Sequence, residues 1–338
     1  MGCHLRGDPT LKSPPGALLM TKQPLISHFF TADPSAHVFE GRVFIYPSHD
    51  LDGDALENDF GDQYAMEDYR VISQDHPEGP ATDHGEVLHV RDVPWASKQL
   101  WAPDAAFRHG RYYLYFPARD KAGIFRIGVA TATRPEGPFK AESTPIKGSF
   151  SIDPCVFRDD DGEFYMYFGG IWGGQLQCWT TGTFAAGAKE PLDGTPALSP
   201  KVAKLTADML QFAAPPCDAV IMDTNGAPLK GHDTDRRYFE GPWMHKYQGT
   251  YYLSYSTGDT HYLVYATSDK PTGPFTFRGR ILTPVLGWTT HHSIVEFGGR
   301  WWLYYHDASL SGGISYKRSV KVQELFYEPD GSIHAMSP

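Results

Sequence analysis

Five segments of this 338-residue chain repeat one pattern, a strand-like stretch, a glycine turn and an aromatic-rich strand. They read ADPSAHVFEGRVFIY, APDAAFRHGRYYLYF, DPCVFRDDDGEFYMYF, EGPWMHKYQGTYYLSY and HHSIVEFGGRWWLYY, turning at Gly41, Gly110, Gly162, Gly249 and Gly299. Eight or nine residues before each glycine stands a leading residue, in turn Asp33, Ala102, Asp153, Glu240 and His291. A hairpin of this kind cannot bury both its faces alone, and five copies stacked around an axis can. The pattern therefore predicts an all-β fold, a five-bladed β-propeller, with the varying offset absorbed by the hairpin turns.

The intervals between turn glycines accommodate blades of about 40–50 residues plus insertions. The longest, from Gly162 to Gly249, holds an excursion over 173–236, in which KVAKLTADMLQFA fits a helix or the start of a strand. IGVATATRPEGPFK (127–140) and LVYATSDKPTGPFTF (263–277) resemble each other and suit the outer hairpins of blades two and four. VKVQELFYEPDGSI supplies a closing strand and a last hairpin turning at Asp330-Gly331. Residues 26–338 are expected to form one closed domain, and 1–25, rich in Pro and Gly, a disordered extension.

Composition narrows the function. A net charge of −10 with no Lys/Arg cluster argues against a nucleic-acid partner. No run approaches the ~18–20 apolar residues of a membrane span, and Ala17 to Met20 is too short for a signal-peptide core of about 7–15, so a cytoplasmic location is expected. The four cysteines, Cys3, Cys155, Cys178 and Cys217, have no zinc spacing and read as idle thiols. The 19 Tyr, 20 Phe and 8 Trp suit both stacked sheets and sugar-facing surfaces, so they do not choose between them.

The leading positions do choose. The first strand of each propeller blade lines the central channel, so Asp33, Asp153, Glu240 and His291 converge. An Asp before Pro is at home in a turn, and Glu240 in a surface ion pair, but a shared register in three repeats favours a site. Carboxyls gathered out of bulk water repel, which raises the pKa of at least one. A protonated acid facing an ionised base is what glycosidic cleavage requires.

The ordered set ADPS, WAPD, SIDP, YFEGPWMHKY and THHSIVEF resembles glycoside hydrolase family 43, from about Ser27 to Ile333, closest to its β-xylosidase and α-L-arabinofuranosidase members. The resemblance implies an inverting, single-displacement hydrolysis of a xylo-oligosaccharide or arabinoxylan fragment, without an organic cofactor. It places the general base at Asp33, the general acid at Glu240 and a carboxylate that raises the acid's pKa at Asp153. It also implies a hydrated Ca²⁺ near His291, although Thr290 stands where the family has Gly. His292 is the neighbouring candidate, facing the other side of a regular strand. Arg318 in YKRSVKV resembles the family arginine that reaches the sugar, and Trp101 and Trp172 are the candidate sugar-facing aromatics.

Rival readings are an endo-arabinanase of the same family, a non-catalytic carbohydrate-binding propeller and a retaining fructan hydrolase. The last departs from Ala-Asp-Pro, Ile-Asp-Pro and Phe-Glu-Gly as they stand here, and no sialidase Ser-x-Asp-x-Gly-x-Thr-Trp box occurs. Insertions at 50–100 and 173–236 are long enough to wall off one side of a pocket, which favours exo action.

Overall fold

The structure, a computed structural model, describes residues 23–54 and 56–338. All but the last three residues of the expected extension 1–25 lie outside them. The described chain forms five sheets, one per repeat. Blade one is Phe30–Phe39, Arg42–Asp50, Asp68–Gln74 and Ala81–His89. Blade two is Asp104–Arg108, Arg111–Asp120, Phe125–Ala132 and Lys140–Ala141, with Ala96–Lys98 added beside Arg111–Asp120. Blade three is Cys155–Arg158, Phe164–Phe168, Lys201–Lys204 and Cys217–Asp218. Blade four is Glu240–Tyr247, Thr250–Ser256, Leu263–Ser268 and Phe275–Leu282, with Ile221–Met222 parallel at its outer edge. Blade five is His292–Phe297, Arg300–Asp307 and Ser319–Leu325.

The 127–140 and 263–277 segments are outer hairpins of blades two and four, as expected. KVAKLTADMLQFA is not helical: Lys201–Lys204 pairs with Phe164–Phe168, and a turn follows. The excursion thus supplies the two outer strands of blade three. The segment before blade one pairs with blade five, where the Leu25 N–H donates to the Val320 carbonyl at 2.8 Å, and the C-terminal segment forms the expected last hairpin, with Tyr327 bridging Ile333 around Asp330-Gly331.

Four turns are two-residue loops with both residues left-handed, as Glu40-Gly41 (φ +52° and +75°) illustrates. That geometry matches strand twist and favours glycine at the second position, which is why the glycines mark the repeat. Blade three instead spans five residues between the paired Arg158 and Phe164.

The aromatics mostly join blades. Tyr46 donates to the Pro135 carbonyl (2.8 Å), Tyr115 to Met209 (3.0 Å), Tyr167 to Pro271 (2.5 Å) and Tyr252 to Gly331 (2.6 Å), while Tyr304 reaches Gln74 Oε1 (3.1 Å). Each ring fills the space between sheets and its hydroxyl is satisfied across the gap. Cys155 and Cys178 are buried free thiols and Cys217 is an exposed one.

One expectation is corrected by the register. Asp33-Pro34 forms a bulge opposite one residue of the next strand, between Ala32↔Ser48 and Ser35↔Tyr46. In blade four the bulge is Gly241-Pro242, between Glu240↔Ser256 and Trp243↔Ser254. The residue equivalent to Asp33 is therefore Gly241, and Glu240 stands one position earlier. The nine-residue offset reflects a longer turn in blade three but a displaced carboxylate in blade four. Proline cannot donate to the ladder, so each bulge accommodates it and re-aims the side chains beside it.

Candidate active site

The bulges set the geometry. Asp33 (φ +50°), Asp153 (φ +57°) and Gly241 (φ +65°) share the left-handed region, which Asp tolerates better than most residues and Gly without strain. A residue before proline resists α-type backbone, so Asp33 and Asp153 hold a costly conformation of the kind that clusters at functional sites. Glycine suits position 241 because of this φ, and a Cβ there would also crowd the His291 ring at 3.3 Å. The Gly241 N–H donates to Asp153 Oδ2 at 3.0 Å, joining blade four to blade three beside Glu240.

The structure brings Asp33, Trp101, Asp153, Glu240, His291 and Arg318 around one inner hollow of about 50 Å³. Trp101 and Glu240 also line an outer cavity of about 360 Å³, which Trp172 borders. The Trp172 ring packs edge-on to Phe239 and lies 6.0 Å from Trp288, a rim aromatic the sequence reading missed. Trp101 donates to the Tyr64 carbonyl at 2.8 Å and packs against Phe125. His292 is not part of the hollow: it is fully buried and its Nε2 pairs with Ser254 Oγ at 2.6 Å.

Arg318 is buried. Its Nε and Nη2 donate to the two oxygens of Asp50 at 2.8 Å each, and its Nη1 donates to Asp33 Oδ1 at 3.1 Å. Ser48 adds a hydrogen bond to Asp33 Oδ2 at 2.7 Å. Burial pushes the Asp33 carboxyl up, but Arg318, His306, His291 and the Ser48 hydroxyl outweigh it and hold the carboxyl below its ordinary value.

The other two carboxyls shift the opposite way. Glu240 is pushed up to about 7 by burial, with the Asp33 charge adding and the Thr289 hydrogen bond and Arg318 opposing. Asp153 is raised well above the usual range by burial and by the charges of Glu240 and Asp33. One cavity thus holds an ionised carboxylate and a carboxyl that keeps its proton near neutrality, the pair that an acid and a base require.

Sequence reasoning also missed Tyr64, Asp50, Asp104, Arg119, Thr289 and His306. Asp104, from WAPD, accepts from His37 Nε2 at 2.7 Å and from the Ser35 hydroxyl and the Val156 N–H deeper in the channel. Arg119 donates to the Phe60 carbonyl (2.9 Å) and the Gly173 carbonyl (3.4 Å), tying two walls of the outer cavity together. Of the insertions expected to build that wall, only residues within 57–63 and Gly173-Gly174 reach it among the described residues; the blade residues around Trp101, Trp172 and Phe239 and the loops at Gly287-Trp288 and 313–315 line the rest. The remainder of 50–100 and 173–236 largely forms blade strands and outer loops.

Among the described residues no group of three or more His, Cys, Asp or Glu side chains is placed to hold a metal ion. His291 lines the hollow with Nδ1 3.9 Å from Asp33 Oδ1, and its Nε2 has no hydrogen-bond partner among the described residues. A single free imidazole nitrogen fits a cation that keeps most of its own water.

A five-bladed β-propeller with oppositely shifted carboxyls at the mouth of its channel defines a glycoside hydrolase. The sequence matches the family model for glycosyl hydrolases family 43 over residues 82–333. Xylosidase/arabinosidase 43A of Humicola insolens is 63% identical over 324 residues, covering 93% of this chain and 99% of that protein. A β-xylosidase of Xylanibacter ruminicola is 50% identical over 306 residues, covering 90% of this chain and 96% of that one. The crystal structure of CoXyl43, a family 43 β-xylosidase/α-arabinofuranosidase from a compost microbial metagenome in complex with xylotriose and calcium-free, superposes with a TM-score of 0.92. It is 60% identical, with 94% of this chain and 97% of that chain covered. This chain belongs to glycosyl hydrolases family 43.

Proposed function

We propose that the protein is an exo-acting, inverting glycosidase that releases xylose from β-1,4-linked xylo-oligosaccharides and arabinose from α-L-arabinofuranosides. The observation that carries this reading is the opposite displacement of two carboxyls in one hollow, Asp33 down and Glu240 up to about 7. Asp33 is the general base: it takes a proton from water as the water oxygen attacks the anomeric carbon. Glu240 is the general acid: it delivers its proton to the departing glycosidic oxygen. Bond making and breaking occur on opposite faces of the sugar, so the configuration inverts. Both carboxyls then exchange a proton with solvent to reset.

Asp153, itself raised well above the usual range by burial and by the charges of Glu240 and Asp33, accepts the Gly241 N–H and so fixes the backbone beside Glu240. Arg318 holds Asp33 ionised and oriented, and Trp101 and Trp172 offer apolar surface to the sugar rings. His291 would be the one protein contact of a hydrated calcium ion, whose charge would further favour ionised Asp33. Exo action is supported by the wall around the outer cavity, where Ser315 donates to Glu57 Oε2 at 3.3 Å between two of its lining loops.

The test is hydrolysis of p-nitrophenyl β-D-xyloside and α-L-arabinofuranoside by the wild type, Asp33→Ala and Glu240→Ala. Loss in both variants by about 10²–10⁴-fold is expected for a general acid and base. Binding of pentosides without turnover by the wild type would instead favour a carbohydrate-binding propeller.

A further inference from the structure

Between acid and base lies a chain of hydrogen bonds that the proposed chemistry leaves unused. Thr289 donates its hydroxyl to Glu240 Oε1 at 2.5 Å. The carbonyl of the same residue accepts from His306 Nε2 at 3.0 Å, and His306 Nδ1 accepts the backbone N–H of Asp33 at 2.9 Å. A backbone N–H can only donate, so Nδ1 is bare and the ring proton sits on Nε2, which donates to Thr289. His306 is itself pinned, because Thr290 Oγ1 donates to its carbonyl at 2.8 Å and receives its N–H at 3.1 Å. Thr289, Thr290 and His306 are all buried.

We propose that Thr289 and His306 are positioning residues, a strap from Glu240 to Asp33 that fixes their separation and decides which oxygen of Glu240 carries the transferable proton. This rests on the assignment of Glu240 as acid and Asp33 as base. With Oε1 engaged as the acceptor of the Thr289 hydroxyl, the acid's proton lodges on Oε2, which has no hydrogen-bond partner among the described residues. At its other end the strap holds the Asp33 bulge from behind. The strap does not titrate in the working range, since burial, with Arg318 adding, pushes the His306 ring down to about 3.

The groups that share the inner hollow with Glu240 are Asp33, Asp153, His291, Arg318 and Tyr64. Thr289 is the residue that hydrogen-bonds its carboxyl directly. A hydroxyl donated to a carboxylate favours the ionised form, so its removal raises the acid's pKa.

The experiment compares the pH dependence of kcat/KM on p-nitrophenyl β-D-xyloside for the wild type, Thr289→Val and Thr289→Ser, with Thr289→Ala as the alternative should the valine variant not fold. Thr289→Val is expected to move the alkaline limb up by about one pH unit. It should leave the acid limb in place and lower kcat by about ten- to a hundredfold with KM little changed. Thr289→Ser should restore the wild-type limb. An alkaline limb that superimposes on the wild type in Thr289→Val overturns the strap. Glu240→Ala, assayed on xylobiose and on a dinitrophenyl xyloside whose leaving group needs no proton, isolates the underlying assignment. A much larger loss on xylobiose supports Glu240 as acid, and equal losses retire that assignment and the strap with it.

Discussion

Replacing Arg318 perturbs the ion pair on which the base depends. The guanidinium donates to both oxygens of Asp50 and to Asp33, and lies 4.9 Å from the Tyr64 ring centroid. Arg318→Ala strands two buried carboxylates, and breaking a buried pair from one side costs about 3–5 kcal/mol. In a chain of this length that corresponds to a fall in Tm of roughly 4–7 °C. Arg318→Lys keeps the charge, but one ammonium cannot reproduce a planar fork across two carboxylates, so an intermediate loss is expected. The pH dependence has a defined sign. Asp33 has a depressed folded-state pKa, so its pairing stabilises above the unfolded value and is lost as pH falls through the folded one. The deficit of Arg318→Ala should therefore be greatest near neutrality and shrink on acidification, and the acid limb of kcat/KM should move to higher pH. Thermal denaturation at pH 7 and in mild acid, alongside the kcat/KM profile, reads both effects. A variant with unchanged Tm and an unmoved acid limb would refute the reasoning.

Other outcomes follow from the same site. Wild-type kcat/KM should fall as pH rises through about 7, where Glu240 loses its proton, and Asp153→Ala, which removes the acceptor of the Gly241 N–H beside Glu240, should lower kcat; an unchanged kcat would contradict that positioning role. Gly61→Ala forces a Cβ to 2.5 Å from the Trp101 ring at a φ of +74°, so the 57–63 loop must move; KM for xylobiose should rise with little loss of Tm, and unchanged KM would show that this wall does not shape the pocket. Calcium titrated into metal-free protein should raise Tm by mass action, and His291→Gln should abolish the rise; an equal rise in that variant places the ion elsewhere.

Much of the fold is written locally. Two-residue left-handed turns demand glycine, so Gly41, Gly110, Gly249 and Gly299 mark hairpins that any reader of the chain can align. Asp33 and Asp153 are legible because Asp-Pro is a distinctive dipeptide at a fixed distance from those turns. Glu240 was found by the same alignment but placed one residue out of register, since the bulge at Gly241-Pro242 has no signature separating it from a longer turn. The partners of the site were hidden. Arg318 meets Asp50 across 268 residues of chain, and His306 receives the Asp33 N–H across 273, contacts made only when blade five closes against blade one. Thr289 and Trp288 sit beside the His291 motif, but whether loop side chains turn toward a cavity is decided by packing rather than by strand period.

The central claim is a single displacement by water activated at Asp33 with proton delivery from Glu240. Proton NMR of the xylose first released from p-nitrophenyl β-D-xyloside, recorded before mutarotation, tests it most directly. The account predicts α-xylose from the β-linked substrate, and β-xylose as the first product would contradict it.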